Sequence, residues 1–117
     1  MVIKIKRVYE NFGKNDGFRI LVDRLWPRGI SKEKAGIKAW MKEIAPSYGI
    51  IKGFHSGGDW AGFKEKYRKE LKEKKGLLEE IKNHEKKYKI VTLVYSAKDE
   101  KHNQAVILKE VLKSGKV

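Results

Sequence analysis

The apolar residues of this chain fall into two kinds of spacing. Three short runs read as strands. Val2, Ile3, Ile5 and Val8 alternate with charged residues, so residues 2–8 form a half-buried strand. Residues 18–23 (Phe-Arg-Ile-Leu-Val-Asp) and 90–95 (Ile-Val-Thr-Leu-Val-Tyr) are nearly continuous and rich in β-branched side chains, as central parallel strands are. Between them the spacing becomes helical. Ser31 is a good N-cap for a short helix through Ala35. Ser47 stands where it could cap a helical turn leading to Phe54. After the flexible Gly57-Gly58 break, Asp59 caps a helix running to about Lys74, with Trp60, Phe63, Tyr67 and Leu71 on one face. Gly76 interrupts, and Leu77, Leu78 and Ile81 mark another helix to about Lys87. Asp99 begins a last helix whose buried side is Ala105, Val106, Leu108, Val111 and Leu112. Residues 37–44 are ambiguous: Ile37, Trp40, Met41 and Ile44 match a helical period, and Pro46 ends whatever precedes it. The loop 10–17 holds Asn, Gly and Asp turn formers.

These elements predict a single α/β domain over residues 1–117. The expected architecture is three-layered: a mostly parallel central sheet of three to four strands with flanking helices. The strands at 18–23 and 90–95 are expected to be adjacent, parallel and central. Hydrophobic residues at 40% and charged residues at 37% suit a soluble domain, and no apolar run could span a bilayer. The alternating N-terminus lacks the form of a signal peptide, so the expected location is cytoplasmic and no membrane partner is expected.

With no cysteine, disulfides, thiolate metal sites and cysteine nucleophiles are excluded, and with them the cysteine-dependent phosphatases and sulfurtransferases. No P-loop signature is present. No H-x-x-x-H or H-x-H spacing locks two of His55, Asp59, Asp99 and His102 onto one ion, so no metal is assigned; the cofactor is unknown. A Ser-His-Asp triad lacks its G-x-S-x-G elbow.

The formal charge is +13. Many lysines alternate with glutamate in helical stretches such as Lys72-Glu73-Lys74-Lys75, the kind of surface found in heat-adapted, thermostable proteins. The charge also allows a nucleic-acid partner, with binding expected to be weak, salt-dependent and non-specific because lysine suits phosphate contacts rather than base readout. Only five of the basic residues are arginine, and Arg19, Arg24 and Arg28 lie within one ten-residue segment. A guanidinium grips phosphate or carboxylate in a bidentate way that an ammonium cannot.

Two segments concentrate the chemistry. Asp23-Arg24-Leu25-Trp26-Pro27-Arg28-Gly29 closes an apolar strand with an acid, two guanidinium groups and an indole on a Pro-Gly turn. Tyr95 to Asn103 repeats that design before the last helix. In open α/β sheets ligands bind beyond the carboxyl ends of the strands, where helix starts offer free N–H groups. One crevice would therefore gather Asp23 and His55 as acid/base groups, with Arg24, Trp26, Arg28, Ser47, Ser96, His102 and Asn103 around a small anionic ligand (a phosphorylated metabolite, nucleotide or carboxylate). Simpler roles stand beside each of these. Asp23 with Arg24 reads equally as a structural ion pair, Trp26 as core, Ser47 and Asp99 as helix caps, and His102 as surface.

Five segments, D-R-L-W-P-R-G (23–29), W-M-K-E-I-A-P-S (40–47), F-H (54–55), W-A-G-F-K-E-K-Y-R-K-E-L (60–71) and L-V-Y-S-A-K-D-E-K-H-N-Q-A (93–105), resemble the YeaO-like family. That family is a domain of unknown function within the DUF488 superfamily, so the resemblance brings no established activity. In related superfamily members a helix joins the first two strands, which implies a parallel sheet; this chain has only the 10–17 loop there. The resemblance also implies an extended segment at 38–44, which tips the ambiguous stretch toward strand. Relatives have carried a methyltransferase label, but this chain has no Gly-rich S-adenosylmethionine loop.

Overall fold

The computed structural model describes residues 2–115. Four strands form one all-parallel sheet in the order β1-β4-β2-β3. They are β1 (Val2–Arg7), β2 (Phe18–Leu21), β3 (Ala39–Trp40) and β4 (Ile90–Tyr95). Apolar β4 lies between β1 and β2, pairing Ile5 with Leu93 on one side and Ile20 with Leu93 on the other. The expected adjacency of the two apolar strands is therefore observed.

Five helices complete a three-layer α/β fold: α1 (Lys32–Ala35), α2 (Tyr48–His55), α3 (Trp60–Lys72), α4 (Lys75–Tyr88) and α5 (Gln104–Ser114). The layers are unequal. Strand alternation sends Ile20, Val22, Val91, Leu93 and Tyr95 into a large core with the apolar stripes of α3, α4 and α5. It sends Leu21 and Val94 into a small second cluster with Val8, Ala35 and Trp26, covered by α1 and the 22–37 segment. Ser31 caps α1 by accepting the Lys34 N–H, and Asp59 caps α3 by accepting the Gly62 N–H at 2.9 Å.

Several boundaries differ from the sequence reading, each for a local reason. The break between α3 and α4 falls at Glu73–Lys74, and Gly76 lies inside α4. One glycine costs a helix only about 1 kcal/mol, which the buried Leu78 and Ile81 outweigh. Asn103 rather than Asp99 caps α5, its Oδ1 accepting the N–H groups of Ala105 and Val106. Asp99 closes a tight turn one step earlier by accepting the Lys101 and His102 N–H groups. Ile107 is buried, whereas Val106 is only half-buried. Residues 37–44 divide: β3 is a two-residue strand, followed by a 3-10 turn over Lys42–Ile44. The helical period arose because that turn buries Ile44 on the same side as Met41. No helix among the described residues is long and apolar enough to cross a membrane.

Candidate functional site

The carboxyl ends of β2 and β4 are neighbours, and the chain leaves them in opposite directions: β2 leads outward to β3, β4 leads into α5, which packs back over β1. Such a divergence opens a crevice in an α/β sheet. A cleft of about 940 Å³ lies there. Its walls include Leu25, Trp26, Ile51 and Phe54, so most of the surface it offers a ligand is apolar.

The segment 23–30 is held through its own carbonyl groups. Trp40 Nε1–H donates to the Asp23 carbonyl at 2.7 Å, Tyr9 O–H to that of Arg28 at 2.8 Å, and Trp26 Nε1–H to that of Ile30 at 2.8 Å. The Trp26 and Trp40 rings meet edge to face at 5.6 Å. Trp26 is thus both part of the small core and a wall of the cleft. The Asp23 side chain lines the cleft. It is buried, and its Oδ1 accepts from Gln104 Nε2 at 2.7 Å. Burial raises its pKa, and hydrogen bonds from Ser96 and Gln104 only partly offset this. Because the folded state holds this proton more tightly than the unfolded chain, ionising Asp23 costs stability as pH rises from the unfolded carboxylate range through the raised folded value. Asp23→Asn is therefore expected to be at least as stable as the parent at neutral pH. Thermal melts across pH 3–7 should show the parent losing more stability than the variant as this group ionises.

Arg24 borders the cleft, but its guanidinium is directed to the backbone. Nη2 donates to the Ala45 carbonyl at 2.9 Å and Nε to that of Pro46 at 3.2 Å. The same strap is held by Tyr67 O–H on the Ile44 carbonyl (2.6 Å), by Lys74 Nζ on Ala45 (3.1 Å) and by Glu70, which accepts the Ser47 N–H at 2.9 Å. Ser47 occupies the N-cap position of α2, yet its side chain makes no capping bond. Arg24→Ala should destabilise the domain by roughly 1–3 kcal/mol, because it strips donors from buried carbonyls. Urea denaturation would measure this.

The chain from end to end is similar to known relatives. "Uncharacterized protein YeaO" of Escherichia coli (strain K12) is 44% identical over 115 residues, 97% of this chain and 99% of its own. A family profile described as "Inactive DUF488-N3 subclade" matches residues 2–115. The chain belongs to the YeaO-like DUF488 family. "Uncharacterized protein Rv3073c" of Mycobacterium tuberculosis (strain ATCC 25618 / H37Rv) and "Uncharacterized protein Mb3100c" of Mycobacterium bovis are each 36% identical over 78 residues, 66% of this chain and of their own. No solved structure matches.

In this YeaO-like domain the cleft brings together Asp23, Arg24, Trp26, Arg28, His55, Ser96 and His102 from three stretches of sequence. Ser47 and Asn103 are not among its lining residues. Asn103 is buried and committed to capping α5, with Nδ2 donating to the Asp99 carbonyl at 2.9 Å. Arg19, close to Arg24 in sequence, is far from it in role: it is buried, paired with Asp16 at 2.7 Å and bonded to the Ala35 carbonyl. His102 Nδ1 lies 2.9 Å from Asp99 Oδ2, and its ring meets Trp60 edge-on. The hydrogen bond to His102 lowers the Asp99 pKa. Among the described residues, no group of three or more His, Asp or Glu side chains is placed to hold a metal ion. Sequence reasoning missed Tyr9, Leu25, Tyr48, Lys98 and Gln104. The parallel sheet offered one signal, since Tyr9 follows β1 and so emerges at the same end as Asp23 and Ser96.

Proposed function

We propose that the cleft binds a small ligand with an apolar body and an anionic group, and that it does so without turning it over. The carrying observation is charge distribution. Arg28, Lys98 and His55 all border the cleft and are exposed, and among the described residues no carboxylate pairs with any of them. Some half-buried cations elsewhere are paired, Lys6 and Arg19 with Asp16, Lys64 with Glu110, Lys74 with Glu70, while many surface lysines are not; what sets the cleft apart is that its free basic groups border one apolar pocket. Arg28 and Lys98, two cations beside an apolar pocket, suit phosphate or carboxylate on a less polar body, and His55 adds a ring N–H donor. Asp23 and His55, the groups eligible for acid/base work, act in this reading as recognition groups. The description "Inactive" attached to the matching family supports binding rather than chemistry.

Calorimetry with inorganic phosphate, a nucleoside monophosphate and an aromatic carboxylate tests the reading. At least one should bind, and Arg28→Ala should weaken it about 10- to 100-fold with an unchanged melting temperature, the loss expected for one charge-assisted contact of roughly 1.5–3 kcal/mol. Unaltered affinity in Arg28→Ala, or no binding by any of the three, would remove the anion site.

A further inference from the structure

The amino end of the sheet, opposite the cleft, carries an aromatic stack among lysines. Phe18 opens β2 and is paired with Val91 of the central strand. The rings of His84 and Tyr88, one turn apart on α4, both stack on Phe18, with centroids 4.2 and 4.6 Å away and interplanar angles of 17° and 14°. The His84 and Tyr88 centroids are 6.2 Å apart, too close for opposite faces of one ring, so they cover Phe18 side by side. Tyr88 is still 43% exposed. The stack holds the phenol ring in place, so a further flat group could join it at little ordering cost. Around this ring the chain is strongly basic: residues 82–89 contain four lysines and one glutamate. Lys87 Nζ lies over the Tyr88 ring, 5.2 Å from its centroid. Lys86 and Lys89 are exposed, and Lys89 Nζ donates to the Lys86 carbonyl at 3.1 Å, which keeps its charge at the helix end. Lys89 has φ 71°, the one positive φ among the described non-glycine residues, at a position where glycine would be unstrained. Lysines in a last turn also favour the helix dipole, but the dipole does not account for an exposed aromatic ring among them.

We infer that this end of the sheet binds single-stranded nucleic acid, with an unpaired base stacked on Tyr88 and the flanking phosphates at Lys86, Lys87 and Lys89. Cations alone would fit any polyanion, and free lysines are common on this surface. What sets the patch apart is a fixed, exposed ring among them. Ring and cations together match a chain whose flat bases alternate with phosphates. A duplex does not fit this mode, because its bases already stack on one another. Lys87 stands on a flexible stem and can pass from the ring to a phosphate as a base takes its place. Tyrosine and lysine meet the faces of bases and the backbone rather than base edges, so binding tolerates any sequence. The site is separate from the cleft. Phe18 begins β2 and Tyr88 precedes β4, the strands whose carboxyl ends lead to Asp23 and Ser96.

Fluorescence anisotropy on the full chain tests this with two labelled probes of about 12 nucleotides, a length such sites cover. One is an oligothymidylate and the other an abasic oligonucleotide with the same phosphates. At low salt the oligothymidylate should bind about 5-fold or more tightly than the abasic probe, the share expected of stacking. Tyr88→Ala should remove that difference, and Tyr88→Phe, which keeps the ring, should retain it. Tyr88→Leu, which still covers Phe18, serves as a second variant without the ring. Lys87→Gln and Lys89→Gln should weaken both probes alike and flatten the dependence on salt. Arg28→Ala, at the cleft, should leave the difference between the probes intact. Equal affinity of the parent protein for the two probes overturns the inference and leaves a surface that attracts polyanions by charge alone. A difference that survives both Tyr88→Ala and Tyr88→Leu overturns it too, because the base must then lie elsewhere. Absence of binding by either probe at low salt overturns it as well. None of these outcomes bears on the cleft, whose anion site is tested by phosphate and Arg28→Ala.

Discussion

Asp16→Ala should destabilise this domain by roughly 3–5 kcal/mol, a large part of the 5–15 kcal/mol that holds a typical domain together. Asp16 looks like a turn residue, but it is buried and receives three donors: the Gly13 N–H at 3.1 Å, Lys6 at 3.2 Å and Arg19 at 2.7 Å. Arg19 has 2% of its surface exposed, so removing the acid it is bonded to leaves a guanidinium charge in the core with the Ala35 carbonyl and the Phe12 ring as its near partners. Burial works against the Asp16 charge, yet the Gly13 N–H and the two cations outweigh it and lower the pKa. A carboxylate whose folded pKa is depressed contributes stability that is fully present above the unfolded pKa and is lost as pH falls through the folded value. The gap between parent and variant in urea denaturation should therefore be full at neutral pH and shrink below pH 4. Asp16→Asn, which keeps an acceptor and loses the charge, should fall between them. A loss under about 1 kcal/mol would mean that Arg19 finds water on leaving Asp16.

How far the sequence revealed this molecule depends on the kind of partner each residue has. The central strands were legible because an apolar β-branched run has few alternatives, and their carboxyl ends marked the cleft because Asp23 and Ser96 are polar where the runs stop. Arginine clustering was misleading. Arg19, Arg24 and Arg28 are close along the chain, but strand alternation and the Pro-Gly turn send one into a buried ion pair, one onto a backbone strap and one to the cleft rim. The partners of Arg24 are the carbonyls of Ala45 and Pro46, and a carbonyl has no residue signature. The mainly apolar character of the cleft was hidden as well. Tyr48, Ile51 and Phe54 have the spacing of an ordinary amphipathic helix, yet no residue of α2 is fully buried, so its apolar face is left partly to the cleft.

The loop before β2 carries the other large expected effect. Gly17→Ala should cost about 4 kcal/mol, from backbone strain and a collision acting together. Gly17 has φ 64° and ψ −135°, a region that essentially only glycine enters. A Cβ there would collide with the Ile90 carbonyl oxygen and lie 2.6 Å from the Ile90 Cβ. Neither atom can move freely, because Ile90 opens β4 and is paired with Val2 of β1. Gly29 provides the comparison. Its φ is 76°, and a Cβ there would meet nothing within 4 Å, so Gly29→Ala should cost only about 1 kcal/mol of strain. The difference between the two variants in chemical denaturation measures the collision together with the extra backbone strain at Gly17. The two positions also separate stability from recognition. Gly17 lies at the amino end of β2, away from the cleft, whereas Gly29 follows Arg28 at its rim. Whatever fraction of Gly17→Ala remains folded should bind anions with parental affinity, whereas Gly29→Ala should change binding more than folding. Equal destabilisation by the two substitutions would show that β4 yields at Ile90 and that the start of the central strand is softer than its pairing implies.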